Sequence, residues 1–184
     1  MRVIAGEARG LPLRTPSARV RPTMDRVRAA IFSSLGDAVP GARVLDLFAG
    51  SGAMGIEALS RGAVSAIFVE ADPRCAACIR QNLRRARLEA SVQVMDALKF
   101  LDQRTNDAFD VIFADPPYAK SSTSRNFAAE LLRLPSLSSA LSPNGTLVLE
   151  RLAGSPEPER IPLSLIRVRR YGESEIAYYT RSSK

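Results

Sequence analysis

From residue 43 to residue 150 the chain alternates between short apolar runs and longer stretches with apolar residues at helical spacing. "RVLDLF" (43–48) reads as a strand and is followed by a glycine turn and a helix over 53–61. "SAIFVE" (65–70) is a second strand, with a helix over 73–87 in which Ile79 and Leu83 face inward. "SVQVM" (91–95) precedes a short helix over 97–102, "FDVIFAD" (109–115) a helix over about 125–133, and "GTLVLE" (145–150) is a fifth strand. Strands alternating with helices require a parallel α/β sheet with right-handed crossovers. The tail, "LSLIRVRRYG" then "SEIAYYTR", reads as a hairpin around Gly172 that adds an antiparallel strand at or near one edge. Upstream, Thr23 is placed to cap a helix over 24–36 with Met24, Val27, Ile31 and Leu35 on one face. Residues 1–22 read as a basic irregular or β extension, and 23–184 as a single domain.

The 184 residues carry a net charge of +7 and no histidine. Without histidine, Ser-His-Asp and Cys-His catalysis are excluded and a zinc site is disfavoured, so no metal is expected. Seven arginines fall within residues 1–28 (Arg2, Arg9, Arg14, Arg19, Arg21, Arg26, Arg28) against Glu7 and Asp25; Arg80, Arg84, Arg85 and Arg87 form a second group. Guanidinium groups fork onto phosphates, so this distribution suits either a polyanion such as nucleic acid or a solvated basic surface. Cys75 and Cys78 lie within an expected helix and read as packing residues. No apolar run approaches membrane-spanning length, and "MRVIAGEARG" lacks the apolar centre of a signal peptide, so a cytoplasmic protein is expected.

"LDLFAGSGAMG" places Gly50, Gly52 and Gly55 as G-x-G-x-x-G between a strand and a helix, with Glu70 ending the next strand 20 residues after Gly50. Such a loop gives a tight turn and close backbone approach to a ligand, with an acid for a ribose hydroxyl. NAD, FAD and S-adenosylmethionine all fit it. Asp46, just before the loop, would repel a pyrophosphate and favour a cationic sulfonium and ammonium, which selects S-adenosylmethionine. The same Asp46 can instead be a structural acid held by backbone amides. Asp96, after the third strand, caps the helix at 97 or, with the Ala97 backbone, sits beside an adenine ring; the two roles are compatible.

The fourth strand runs into Asp115-Pro116-Pro117-Tyr118. Proline cannot continue a sheet ladder, and two in succession hold the following residues extended. Beside the first strand, this segment would face the glycine loop, where ligands of open parallel sheets bind. There the Asp115 carboxylate and the Pro116 carbonyl can accept N–H groups of a base, and Tyr118 offers a stacking face.

"DLFAGSG", "VE" at the end of the second strand and "DPPY" together resemble class I S-adenosylmethionine-dependent methyltransferases acting on exocyclic amino groups. "RPTMDRVRAAIFSSL" and "RRYGESEIAYY" narrow the resemblance to the bacterial 16S rRNA guanine-N2 methyltransferases of the RsmD family, over residues 2–181. The resemblance implies a seven-stranded, mostly parallel Rossmann-like sheet with an antiparallel C-terminal hairpin and helices on both faces. It implies that Asp46, Ala49, Gly50, Ser51 and Gly52 line the methionine part of S-adenosylmethionine, with Glu70 on the ribose and Asp96 and Ala97 on the adenine. Arg21 and Thr23 would reach the methionine carboxylate, although Arg21 could equally meet RNA phosphate. Asp115, Pro116, Pro117 and Tyr118 would hold the target guanine. The implied substrate is 16S rRNA in a small-subunit assembly intermediate, taken by a monomer whose basic extension (1–22) grips the RNA. The competing readings are an adenine-N6 methyltransferase sharing the same tetrapeptide, a nicotinamide-dependent oxidoreductase and a non-catalytic RNA-binding factor.

Overall fold

A computed structural model describes residues 1–15, 23–103, 108–118 and 125–182. Seven strands, β1 (Arg43–Leu47), β2 (Ser65–Glu70), β3 (Ser91–Val94), β4 (Phe109–Ala114), β5 (Leu141–Leu152), β6 (Leu163–Tyr171) and β7 (Ser174–Arg181), form one sheet. Their order is β3-β2-β1-β4-β5-β7-β6. The first five are parallel; β7 runs antiparallel to β5, and β6 antiparallel to β7. The hairpin therefore inserts its second strand next to β5 and leaves its first at the sheet edge. Strand order reverses between β1 and β4, which opens a crevice at their carboxyl ends.

The helices are α1 (Thr23–Leu35), α2 (Ala53–Ser60), α3 (Pro73–Ala86), α4 (Ala97–Gln103), α5 (Phe127–Arg133) and α6 (Pro135–Ala140). Strand residues alternate between two cores, as period-2 geometry demands. Val44, Phe68, Val111, Phe113, Val148 and Ile176 pack with Ile31, Phe32, Ile56 and Ile79 of α1, α2 and α3. Leu45, Leu47, Ile112, Leu147, Leu149 and Tyr179 pack with Leu101, Leu131, Leu132 and Leu137 of α4, α5 and α6. The same alternation sends Asp46, Asp115 and Glu150 to the α1–α3 side of the sheet.

Helix α6 has no counterpart in the sequence reading; proline at its first turn and only six residues give a weak periodic signal. Strand β5 also starts earlier than residue 145, because Leu141 pairs with Phe109 before the register shifts to Val111 opposite Thr146. Helix α5 starts at Phe127, where Asn126 Oδ1 accepts the Ala129 N–H at 3.0 Å.

Residues 1–15 fold back over α2 and α3. The fully buried Glu57 of α2 accepts the N–H groups of Ile4 and Ala5 at 2.7 and 3.0 Å. Asn82 of α3 accepts the Arg14 N–H at 2.8 Å, and its amide donates to the carbonyls of Arg14 and Ser51 at 2.9 and 3.0 Å. One buried side chain thus ties the amino-terminal segment to the glycine loop. Cys75 and Cys78 are free thiols on α3. Among the described residues, no helix is long and apolar enough to cross a membrane.

Candidate active site

A cavity of about 520 Å³ opens at the carboxyl ends of β1, β4 and β5. Its floor is the loop after β1 (Phe48, Ala49, Gly50, Ser51); Val27, Arg28 and Ile31 of α1 and the β6–β7 turn, Tyr171 to Ser174, wall it. Asp46, Asp115, Tyr118 and Glu150 also line it. The cavity therefore brings the glycine loop and the Asp-Pro-Pro-Tyr segment together.

The loop's geometry follows from its glycines. Gly50 and Gly52 sit at φ 56° and 76°, in the left-handed region that side chains resist. Phe48 also lies there, at φ 57°, a local strain at the cavity floor. A Cβ on Gly55 would lie 2.4 Å from the Phe68 ring, so the third glycine lets α2 press against β2. Glu70 holds the loop from the next strand: its carboxylate accepts the Gly50 N–H and the Asp72 N–H, both at 2.8 Å. Two acceptor positions of that carboxylate remain for hydroxyls of a ligand.

Asp46 is 3% exposed and accepts the Gly55 N–H at 2.9 Å. Burial, opposed by that bond and reinforced by the charges of Asp115 and Glu70, pushes its pKa up to about 8. Asp46 thus supports α2 through the Gly55 N–H and also lines the cavity. Asp115 is exposed as a residue and lines the cavity, with its carboxyl crowded by protein. That crowding, with the Glu150 charge, pushes its pKa up to about 7. The Tyr118 hydroxyl donates to Glu150 Oε1 at 2.9 Å, and burial together with Glu150 raises the phenol further above its ordinary range.

The other expected residues are placed differently. Gly52, Glu70, Asp96 and Ala97 do not line the cavity; they lie along the carboxyl edge at the loop, β2 and the start of α4. Asp96 caps α4, its Oδ1 accepting the N–H groups of Leu98 and Lys99 at 3.0 Å. Pro116 and Pro117 border a separate hollow of about 100 Å³ behind Tyr118. Arg21 lies outside the described residues, and of Thr23 the structure gives only that it opens α1. Glu150, Arg28 and the β6–β7 turn were not expected from the sequence. Glu150 was detectable as the last residue of the "GTLVLE" run, at the same strand end as Asp46, Glu70 and Asp115.

Arg28 is 3% exposed, bonded to Asp25 Oδ1 at 3.0 Å and to the Arg2 carbonyl, with Nε 3.6 Å from Glu57. Among the described residues around the cavity, then, the acids Asp46, Asp115, Glu150 and Glu173 face a single arginine already engaged with acids of its own. In a chain of net charge +7, such a lining suits a cationic ligand and repels a pyrophosphate.

The sheet order, the glycine loop after β1 and the Asp-Pro-Pro-Tyr segment after β4 define a Rossmann-like class I methyltransferase. A putative methyltransferase from Escherichia coli, yhhF, superposes with a TM-score of 0.82 at 31% identity, over 100% of this chain and 99% of that one. SMU.776, a putative methyltransferase solved with SAH, shares the fold with a TM-score of 0.69 at 18% identity, over 87% of this chain and 50% of that one. The family described as "Conserved hypothetical protein 95" matches residues 1–180. The putative rRNA methyltransferase YlbH of Bacillus subtilis is 36% identical over 187 residues, covering 98% of this chain and 99% of that protein. Ribosomal RNA small subunit methyltransferase D of Haemophilus influenzae is 35% identical over 161 residues, 85% of this chain and 81% of that protein. The chain belongs to this family, the RsmD methyltransferases.

Proposed function

We propose that the protein transfers a methyl group from S-adenosylmethionine to the exocyclic N2 amino group of a guanine in 16S rRNA. The observation that carries this reading is that Asp46 and the Ala49–Ser51 loop share one cavity with Asp115 and Tyr118. The residues present fit the cofactor. Asp46 is a buried acid with a backbone amide and, among the described residues, no cationic partner, so a bound cation would draw it toward its ionised form. Asp46, Ala49, Gly50, Ser51 and Gly52 would surround the methionine part, Glu70 the ribose, and Asp96 with Ala97 the adenine; Arg21 and Thr23 are assigned to the methionine carboxylate. When bound, S-adenosylmethionine supplies an electrophilic methyl carbon.

The chain's own residues act on the base. Tyr118, held by Glu150, gives a fixed ring face for stacking. The Asp115 carboxylate and the Pro116 carbonyl accept N–H groups of the guanine, which fixes the amino nitrogen in line with the methyl and enriches its electron density. Most of the acceleration comes from that positioning. With its pKa near 7, Asp115 is also matched to receive the proton that the nitrogen sheds at neutral pH. The target must leave its stack to enter the cavity, so it lies in a loop or an unpaired stretch. The substrate is a small-subunit assembly intermediate in the cytoplasm, met by a monomer, with residues 1–22 contributing to the grip.

The test is methyl transfer from tritiated S-adenosylmethionine to small subunits lacking the modification, to naked rRNA and to DNA, followed by nucleoside analysis. Label on guanine N2 supports the reading. Label on adenine N6 overturns the base, and no label despite cofactor binding overturns the activity.

A further inference from the structure

We propose that the face of β6 carrying Arg167 and Arg169, which ends at Tyr171 in the cavity rim, is the track for the phosphates of the RNA strand flanking the target nucleotide. The proposal rests on the reading above that the substrate is RNA, and it adds where the strand lies.

Arg167, Arg169 and Tyr171 stand opposite Tyr178, Ile176 and Ser174 of β7. Alternate residues of a strand share a face, so all three lie on the α1 side of the sheet, the side onto which the cavity opens. Successive members of the row are two residues apart, about 7 Å along the strand. The row leads into the cavity: Tyr171 forms its rim together with the turn that follows. A strand of nucleic acid laid along β6 would thus deliver its next base to the mouth beside Tyr118 and Glu150.

Strand β6 is the edge of the sheet. Arg169 is exposed, and among the described residues no carboxylate forms an ion pair with Arg167 or Arg169. Arg167 is placed by an aromatic ring instead: its guanidinium lies 4.6 Å from the centre of the Tyr178 ring, and its buried Nε has no hydrogen-bond partner. Arg169, two residues further along β6, stands opposite Ile176 on the same face. The nearby Glu175 faces the other side and is held by Arg151 at 2.8 Å, and Glu173 sits beyond Tyr171 in the turn that lines the cavity. Two unpaired guanidinium groups in a row, ending at an aromatic residue, make a surface for a single-stranded polyanion.

Three arginines closer to the amino terminus are engaged within the chain. Arg28 is buried among Asp25, Glu57 and the Arg2 carbonyl, Arg14 donates to Gln81, and Arg85 donates to the Pro12 carbonyl. Arg2 and Arg9 stay exposed and can add to the grip.

The test compares the full chain with Arg167→Gln/Arg169→Gln, with Arg169→Gln alone, and with Arg84→Gln on α3 as a control. The probe is a short fluorescein-labelled single-stranded RNA, titrated by anisotropy from about 50 to 200 mM salt. The double variant should bind about tenfold more weakly, and its log–log salt slope should fall by about 0.7 for each phosphate contact removed. Arg169→Gln should show about half the slope change, Arg84→Gln none, and all should keep the wild-type melting temperature. If the double variant loses its fold, the exposed Arg169→Gln decides alone. Unchanged affinity and slope, or wild-type protein that does not bind the RNA, would overturn the proposal. Wild type that binds RNA through this row yet never methylates rRNA would sink the proposed reaction and leave the track standing.

Discussion

The hydroxyl of Tyr118 donates to Glu150 Oε1 at 2.9 Å, joining the end of the Asp-Pro-Pro-Tyr segment to the end of the neighbouring strand. Ala114 pairs with Leu149, so one step further Asp115 comes beside Glu150. Glu150 therefore acts on both chemical groups of the segment. It fixes the aromatic ring, and its negative charge holds the Asp115 proton.

Substitutions at this pair separate the two effects. Tyr118→Phe keeps the ring but loses the anchor, and should raise the KM for RNA by about three- to tenfold, the worth of one hydrogen bond, with little change in cofactor affinity. Glu150→Gln keeps an acceptor for the phenol and removes the charge. Asp115 then ionises more easily, so the acidic limb of kcat/KM, expected near pH 7 in the wild type, should move to lower pH. A profile from about pH 5 to 9 checks it; an unmoved limb in Glu150→Gln contradicts the coupling.

Asp46 should make the ligand-free protein less stable as pH rises. Its pKa is raised in the folded chain, from 3.8 to about 8, so the native state holds a proton that the unfolded chain releases. Between these values the folded form binds more protons, and stability falls with increasing pH. Asp46→Asn removes that loss while keeping an acceptor for the Gly55 N–H. The variant should melt close to the wild type near pH 4, and its advantage should grow by several degrees, about 2–4 °C per kcal/mol, toward pH 8. Calorimetric melting across this range checks the sign; a constant difference would count against the buried acid as its source.

Glu57 anchors the amino-terminal segment. It accepts the N–H groups of Ile4 and Ala5, bonds Arg61 Nε at 2.7 Å and lies 3.6 Å from Arg28 Nε. Glu57→Ala leaves the buried Arg28 with Asp25 as its one acidic partner among the described residues, and should lower the stability by about 3–5 kcal/mol. Urea denaturation measures the loss, and hydrogen exchange should show the Ile4 and Ala5 amides opening first. A cost below about 1 kcal/mol, the worth of a surface pair, would contradict the role given to this acid.

The strand and helix pattern was legible because both faces of the parallel strands are buried, which leaves continuous runs such as Val111–Ala114 bounded by turns. The acids of the candidate site stood out for the same reason: Asp46, Glu70 and Asp115 interrupt or end apolar runs. What the sequence left hidden depends on contacts distant along the chain. Glu150 gains its role only when β5 lies beside β4, and Arg28 reads as a surface charge until Glu57 and the Arg2 carbonyl close around it. The row on β6 was equally hidden, because its position next to the cavity follows from β7 inserting between β5 and β6.

The most direct measurement is single-turnover methyl transfer to small subunits lacking the modification, with the wild type and Asp115→Ala compared at saturating S-adenosylmethionine. The account predicts N2-methylguanosine from the wild type. It predicts a rate lower by about 10²-fold or more in the variant, the scale for losing a positioned acceptor in the transition state, with cofactor affinity unchanged. N6-methyladenosine as the product, or an undiminished rate without the Asp115 carboxylate, would contradict it.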